Sequence, residues 1–403
     1  MASQEPQPRR RRLPPAMPHE PTIPTTIIDL GDDLILDIFL RLPSLPSLVR
    51  AALACRAFLA AVRSSPAFRR RFRELHPPPL LGFFFDPNGS EMPPFTPVRR
   101  RADPDLAAAV RGADVFLTRL PCHDDAAPGW ELVMCHGGNV VLFSSRTRQI
   151  AAYNPLTRAL DLVPLPEEAY NSFIFVSSEE APGSFRVFAS YHGKSERRPA
   201  IFSSNTMDWR ILTLSEPAIE GPSTNWHDLF PGVLLNGSVY WPHKREAYIL
   251  VLNTSTLQLS RIDLPVDLKG QGHTYMIGET KDGKLCIVSA TGFTLSVWFR
   301  RAKADGVEEW MRDNAILLEA EVLQATKGSR DNHHALKVWD VIDGIVYLST
   351  FEAFRDRRLP SWFLSFCLET RKLEKLFHKT FDHEVFPYVM AWPPSLVRSN
   401  VIP

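Results

Sequence analysis

Two different apolar periods divide the chain. Between Ile27 and about His76, Leu34, Ile35, Ile38 and Leu42 recur at helical spacing, while Asp33, Asp37 and Arg41 form one polar stripe. This predicts a helix from about Asp32 to Leu42, stopped by Pro43. Ser44 and Pro46 offer a cap and a first-turn proline for a second helix, which Leu48, Val49, Ala52, Leu53, Phe58, Leu59 and Val62 carry to Ser64. Ser65 and Pro66 then predict the cap and first residue of a last helix reaching Leu75. Residues 26–76 therefore read as a small helical bundle.

After Pro77-Pro78-Pro79 the period changes to that of strands and stays there almost to the end. Val140–Phe143, Val187–Tyr191, Val239–Trp241, Leu285–Ser289 and Ile345–Leu348 are short, β-branched or aromatic, and bounded by turn residues. Asn236-Gly237, Asp282-Gly283 and Asp343-Gly344 stand just before strands, where type I′ hairpins need positive φ. The expected fold class is α+β, an N-terminal helical bundle followed by an all-β, propeller-like domain over residues 77–395. Residues 1–25, rich in Pro and Arg, carry too few apolar groups to offset ordering and read as a disordered tail, and 396–403 read as a C-terminal tail.

A weak internal repeat supports radial blades. An apolar strand, a Thr-bearing turn and a strand near Leu-Pro occur at Ala151–Thr157, again at Leu250–Thr256, and more loosely at Phe366–Thr370. The turn residues Thr157, Thr256 and Thr370 lie 99 and then 114 positions apart, about twice the roughly fifty-residue period of kelch-type blades. Trp209 and Trp310, 101 positions apart, mark units that fill the gaps. A propeller leaves few exposed strand edges in so long an all-β chain. The strand texture of both ends predicts closure of the ring by joining the termini in one blade, with Leu80–Phe85 and Val385–Trp392 in the same sheet.

Composition narrows the partners. With 46 basic and 45 acidic side chains the formal charge is +1, so no net field draws the chain to nucleic acid or anionic lipid. The five cysteines form no C-x-x-C pair, which fits a reducing compartment, and no apolar run is long enough to span a bilayer. Cytosol or nucleus is the expected location, with Arg9–Arg12 as a candidate import signal and the sequons at Asn88, Asn236 and Asn253 read as turn chemistry.

Candidate chemistry is weak throughout. Gly278–Lys284 has the spacing of a phosphate-binding loop, but Leu285 stands where Ser or Thr must hold magnesium, and a strand follows. Cys135-His136, His333-His334 and Cys122–Asp125 are possible metal ligands, yet neighbours on a strand point to opposite faces. His136-Gly137-Gly138 has no accompanying nucleophile elbow. The Arg runs at 69–71, 99–101 and 355–358 read as solvated, and Trp226, Trp241, Trp298, Trp310, Trp339 and Trp362 as packing between blades. No cofactor and no catalytic residue is expected.

The stretch from Leu30 to Pro43, with Leu45-Pro46-Ser47-Leu48-Val49-Arg50 and Ala54-Cys55-Arg56-Ala57-Phe58, resembles the F-box. The remainder of the chain, through Leu81-Gly82-Phe83-Phe84-Phe85 and then Gly138–Phe143 leading into Tyr153-Asn154-Pro155, is similar to the plant F-box-associated, kelch-like domain. Gly31 replaces the usual proline after the first leucine, and Phe58 a common tryptophan. The resemblance implies a non-catalytic substrate receptor of a Skp–cullin–F-box ubiquitin ligase, with a propeller that binds a target protein; the alternatives are a Skp-binding protein outside a ligase and an enzyme with its site in the propeller mouth. It implies adaptor contacts at Leu30, Gly31, Leu34, Ile35, Ile38, Leu42, Pro43, Leu45, Leu48 and Val49. Independently of the resemblance, a helix that is apolar around most of its circumference exceeds what a fifty-residue bundle can bury, so part of it must meet the β-domain or a partner. Cys55 reads as a small buried packing residue.

Overall fold

The computed structural model describes residues 30–87, 91–98, 103–121, 129–166, 169–177, 184–192, 197–211, 229–230, 232–271, 274–302, 308–313, 315–328, 335–351, 360–381 and 383–397. Residues 1–29, Asn88, the Arg99–Arg101 run, Cys122–Asp125, Trp226, His333-His334 and the 355–358 run lie outside the described residues. The N-terminal part folds as four short helices, α1 (Asp32–Leu40), α2 (Leu45–Leu53), α3 (Arg56–Ser64) and α4 (Pro66–Leu75). α1 stops two residues before the expected Leu42, because the amides of Arg41 and Leu42 turn back to the carbonyls of Ile38 and Phe39 in a tighter last turn.

The expected second helix is in fact two. Its break lies at Ala54–Cys55, where Cys55 is extended and its Sγ accepts from the Phe58 amide at 3.5 Å, capping α3. Cys55 is thus a half-buried helix cap rather than the buried packing residue expected. Sulfur is a weak acceptor outside the usual cap residues, so the pattern of apolar positions runs through the break unmarked. Ser65 caps α4 as expected, accepting from the Phe68 amide at 3.2 Å ahead of Pro66. Ser44 makes no side-chain cap bond to α2.

Strands β1 (Leu80–Phe85) and β2 (Phe95–Pro97) and helix α5 (Pro104–Gly112) come next. The first blade is β3 (Glu131–His136), β4 (Asn139–Ser144), β5 (Gln149–Asn154) and β6 (Ala159–Pro164); the second is β7 (Ala169–Ser177), β8 (Phe185–His192), β9 (Arg197–Ser203) and β10 (Asp208–Ile211). The third is β11 (Val233–Leu235), β12 (Ser238–Pro242), β13 (Tyr248–Asn253) and β14 (Leu259–Asp263). The fourth is β15 (Tyr275–Glu279), β16 (Leu285–Thr291), β17 (Thr294–Ala302) and β18 (Glu308–Arg312), with β19 (Ile316–Leu317) paired to β17. Helix α6 (Glu319–Thr326) leads to the fifth blade, β20 (Ala335–Ile342), β21 (Ile345–Phe351), β22 (Ser361–Cys367) and β23 (Leu373–Lys379).

The last strand, β24 (Val385–Val389), pairs antiparallel with β1, and β1 with β2, so the sixth blade joins both ends of the chain as expected. Leu80 faces Val389 and Phe85 faces Val385. The first strand of each blade touches that of the next, which places these strands around a central channel. Gly82 lies so close to Phe95 that a Cβ there would sit 2.4 Å from the Thr96 carbonyl oxygen, so only glycine lets the third strand approach.

The repeat is more regular than the sequence suggests. Turns between third and fourth strands share one construction in four blades: the amides of Arg158, Met207, Leu257 and Arg371 bond the carbonyls of Asn154, Ser203, Asn253 and Cys367 four residues earlier. Each of those donors has positive φ. Asn154, Ser203 and Asn253 are 49 and 50 positions apart, the period that the longer spacings imply at half their length. Asn154 and Asn253 each accept two turn amides through Oδ1, which fixes the local chain direction. Trp209 and Trp310, on the outermost strands β10 and β18, donate to the carbonyls of Pro164 and Asp263 on the outermost strand of the preceding blade. Asn236-Gly237 and Asp343-Gly344 both have positive φ as expected, whereas at Asp282-Gly283 only Gly283 does, and the loop is wider, closed by Thr280 N to Lys284 O at 2.9 Å.

Bundle and ring are not separate bodies. One hydrophobic core contains Ile35, Phe39, Leu48, Phe58, Val62, Phe68 and Phe72 of the helices together with Leu81 and Phe84, Leu132 and Val140, and Tyr388, Trp392, Leu396 and Val397. Leu396 and Val397, expected to open a C-terminal tail, are instead buried in this core.

Candidate partner-docking site

Helix α1 sorts its apolar residues onto two faces. Ile35 and Phe39, four apart, point into the shared core, where Phe39 packs edge-on against Phe58 at 5.4 Å. Leu34 and Ile38, also four apart, point away and are 57% and 40% exposed. Leu53, at the end of α2, is 52% exposed. Leu30, Leu42 and Val49 are half-buried against the core, while Gly31 and Pro43 are exposed.

Of the ten adaptor-facing positions implied from sequence, Ile35, Leu45 and Leu48 are 2%, 6% and 0% exposed and lie in the shared core of the free chain. They share the helical period with the exposed set, and periodicity alone does not say which stripe faces inward. Leu53 escapes sequence reasoning because a long second helix places it mid-element; the break at Cys55 leaves it at a helix end. Gly31 has φ −62°, ψ 155°, values open to proline, and a Cβ there meets nothing within 4 Å. Its replacement of proline changes the freedom of the unfolded chain rather than the entry to α1.

Helix α2 is held from the side by α5. Asp103 caps that helix through the Leu106 amide at 2.9 Å, and Asp105 accepts from Ser47 Oγ at 2.7 Å and pairs with Arg50 at 2.8 Å. Beyond α5, buried Asp114 accepts from Tyr153 Oη at 2.5 Å and from Thr118 N and Oγ1 at 3.0 and 2.7 Å, while its own amide bonds Pro155 O. Burial pushes the Asp114 carboxyl up, but these hydrogen bonds prevail and hold it below its ordinary value. Burial, with the bond to Asp114, pushes the Tyr153 phenol up to about 12.

The second candidate is the end of the channel where the first and second strands of each blade turn. Cys135, His136, Glu279 and Asp340 stand on innermost strands there, half-buried, and Asp343 follows in the next turn. Burial pushes Asp340 up to about 6 and Asp343, beside Glu279, to about 6. Glu279 is raised by burial and by Asp340, against a hydrogen bond from Asn236. Burial lowers His136 to about 4 and, with Asp340 nearby, raises the Cys135 thiol. The imidazole is thus neutral and the thiol protonated near pH 7, a poor nucleophile pair. Among the described residues no three His, Cys, Asp or Glu side chains are grouped to hold a metal ion. Gly278–Lys284 is the β15–β16 hairpin, with Lys284 paired to Asp282 and Gly283 O accepting from Asn236 Nδ2 at 2.7 Å.

Among the described residues no helix is long and apolar enough to cross a membrane. The family described as F-box protein AT5G49610-like, beta-propeller, matches residues 131–396, about two thirds of the chain. No curated protein matches. Solved structures similar in part include a nidogen/laminin complex (9% identity, 77% of this chain and 99% of that one, TM-score 0.40) and TolB from Acinetobacter baumannii (10%, 83% and 73%, 0.39). A luciferin-regenerating enzyme is similar at 9% identity over 63% of this chain and 75% of its own, with TM-score 0.36.

Proposed function

Because the chain belongs to the F-box protein AT5G49610-like beta-propeller family, we propose that it is a substrate-receptor subunit of a Skp–cullin–F-box ubiquitin ligase, acting in the cytosol or nucleus. In this reading the helices over 30–75 are the F-box, a Skp-family adaptor docks on them and links to cullin, and the ring selects a target protein. Ubiquitin transfer occurs on other subunits. The observation that carries the reading is the pair Leu34 and Ile38, two large apolar side chains left in water one turn apart while Ile35 and Phe39 fill the core. Single exposed apolar groups are ordinary, but an exposed stripe opposite a filled one is the form of a partner contact.

The same geometry supports a target surface on one end of the ring. Chain entry to β1, the segment after β24, and the contact of Asp114 with Pro155 all lie at the end of the ring where first and second strands turn. The helices occupy that end, which favours the loops of the opposite end for the target, among them Pro242–Tyr248, Leu264–Gln271 and Thr291–Thr294. Loops of this kind tolerate the sequence variety that target choice needs.

The test is Ile38→Lys. The free chain tolerates it, because the site is exposed, but in the complex the ammonium lands unpaired in an apolar contact at a cost of about 3–5 kcal/mol, a hundredfold or more in adaptor affinity. Circular dichroism and thermal unfolding should match wild type. Undiminished capture of a recombinant Skp-family adaptor removes the docking face. Leu42→Lys is the poorer probe, since Leu42 packs against the shared core.

A further inference from the structure

Past β24 the chain crosses from the ring to the helices. Met390 N bonds Pro79 O at 2.9 Å, just before β1. Trp392, 6% exposed, meets Phe72 of α4 edge-on at 5.9 Å, and the Arg73 guanidinium lies 5.2 Å from its ring centre. A short 3-10 turn, Pro394–Leu396, then rests against α3, where Arg63 Nε donates to Ser395 O at 2.8 Å. Leu396 and Val397 complete the contact, fully buried in the core that also holds Val62, Phe68 and Phe72. The eight residues after the closing strand thus pack on helices more than 300 positions earlier in sequence.

We propose that Met390–Val397 is a strap that makes closure of the ring and folding of the helical bundle one cooperative event. β24 closes the sixth blade by pairing with β1, and the strap is its direct continuation. When the strand lifts, the strap leaves with it, taking Trp392 from Phe72 and the 3-10 turn from α3, so α3 and α4 open together with β1 and β24. Local opening proceeds in contiguous units of this kind when they share buried apolar contacts. One consequence rests on the docking role above: adaptor binding is confined to chains whose ring is closed, so a ring not yet completed is not delivered to the ligase.

Hydrogen exchange of the full chain under slow-opening conditions tests the strap without reference to any partner. In wild type, amides of α3, α4, β1 and β24 should share one opening free energy. Leu396→Ala should accelerate all four segments by a common factor of roughly thirtyfold to several thousandfold, as for other buried leucine truncations. Arg63→Ala, which removes only the bond to Ser395, should do the same by about two- to tenfold and serves if the first variant does not fold. Acceleration of β1 and β24 with α3 and α4 at wild-type rates, or the reverse, in either variant overturns the proposal. Coupled exchange in a chain that binds no adaptor leaves the strap standing and removes the docking role.

Discussion

Asp340→Asn should stabilise the ring at neutral pH and not at acid pH. Asp340 lies on the innermost strand of the fifth blade, within electrostatic reach of Glu279 on the fourth and Cys135 on the first. Burial raises its carboxyl from 3.8 to about 6, so the ionised form carries a cost of up to about 3 kcal/mol at 1.36 kcal/mol per unit. The group is partly open to the channel, and solvent screening leaves roughly 1–2 kcal/mol of that. Asparagine keeps an acceptor for the Val341 amide, which now bonds Oδ1 at 2.8 Å.

A carboxyl raised in the folded state favours folding while protonated, so the contribution of this group is fully present below about 3.8 and is lost as pH rises through about 6. The variant lacks this dependence. At pH 7.4 an unfolding entropy of about 2.1 cal/mol/K per residue, roughly 0.8 kcal/mol/K for the chain, converts the gain to a rise of about 1–3 °C in Tm. Most of that difference should be gone at pH 4. Calorimetry of both proteins at the two pH values is the assay; a variant less stable at pH 7.4, or a gain that persists unchanged at pH 4, refutes the assignment of the strain to an ionised Asp340.

Two further substitutions probe the frame. Tyr153→Phe deletes the donor to Asp114 and should cost about 1.5–3 kcal/mol in denaturant unfolding at pH 7. Because the Asp114 carboxyl is held low, that cost should shrink as pH falls below 3.8, the carboxyl's ordinary value. Gly278→Ala should cost about 1–3 kcal/mol, since a Cβ there would fall 2.5 Å from the Val341 carbonyl oxygen and push the fourth and fifth blades apart; a thermal shift within error of wild type would show that the blades yield freely.

Much of the architecture is legible in the sequence because it repeats. Strands such as Val140–Phe143 and Ile345–Leu348 are strongly apolar between turn residues, and they lie within β4 and β21. The closure of Leu80–Phe85 on Val385–Val389 follows from all-β texture at both ends of one domain. The features that escape such a reading have specific causes. The Cys55 cap uses an atom that capping preferences ignore, so one helix is expected where two exist. Burial of Ile35, Leu45 and Leu48 depends on which stripe meets the ring, a tertiary fact. The end of the strap reads as a tail because Leu396 and Val397 follow Pro393-Pro394 and show no period, and only the distant helices they pack with give them a place.

That same fusion decides how a receptor of this form would present its target. A strand of six residues spans about 20 Å, so the loops at the far end of the ring stand roughly that distance from the end that carries the helices. Two ties hold the helices there: the strap to the sixth blade, and α5 with Asp114 to the first. The first carries buried Trp392, Leu396 and Val397, and the second buried Asp114 and Tyr153, so each tie has an apolar or hydrogen-bonded anchor in the core. In the proposed role, a target held at the far loops is offered at one fixed height and direction relative to the adaptor. The lysines within reach are then set by the target's own pose, and lengthening a loop of the far face changes which protein is held without changing where it is held.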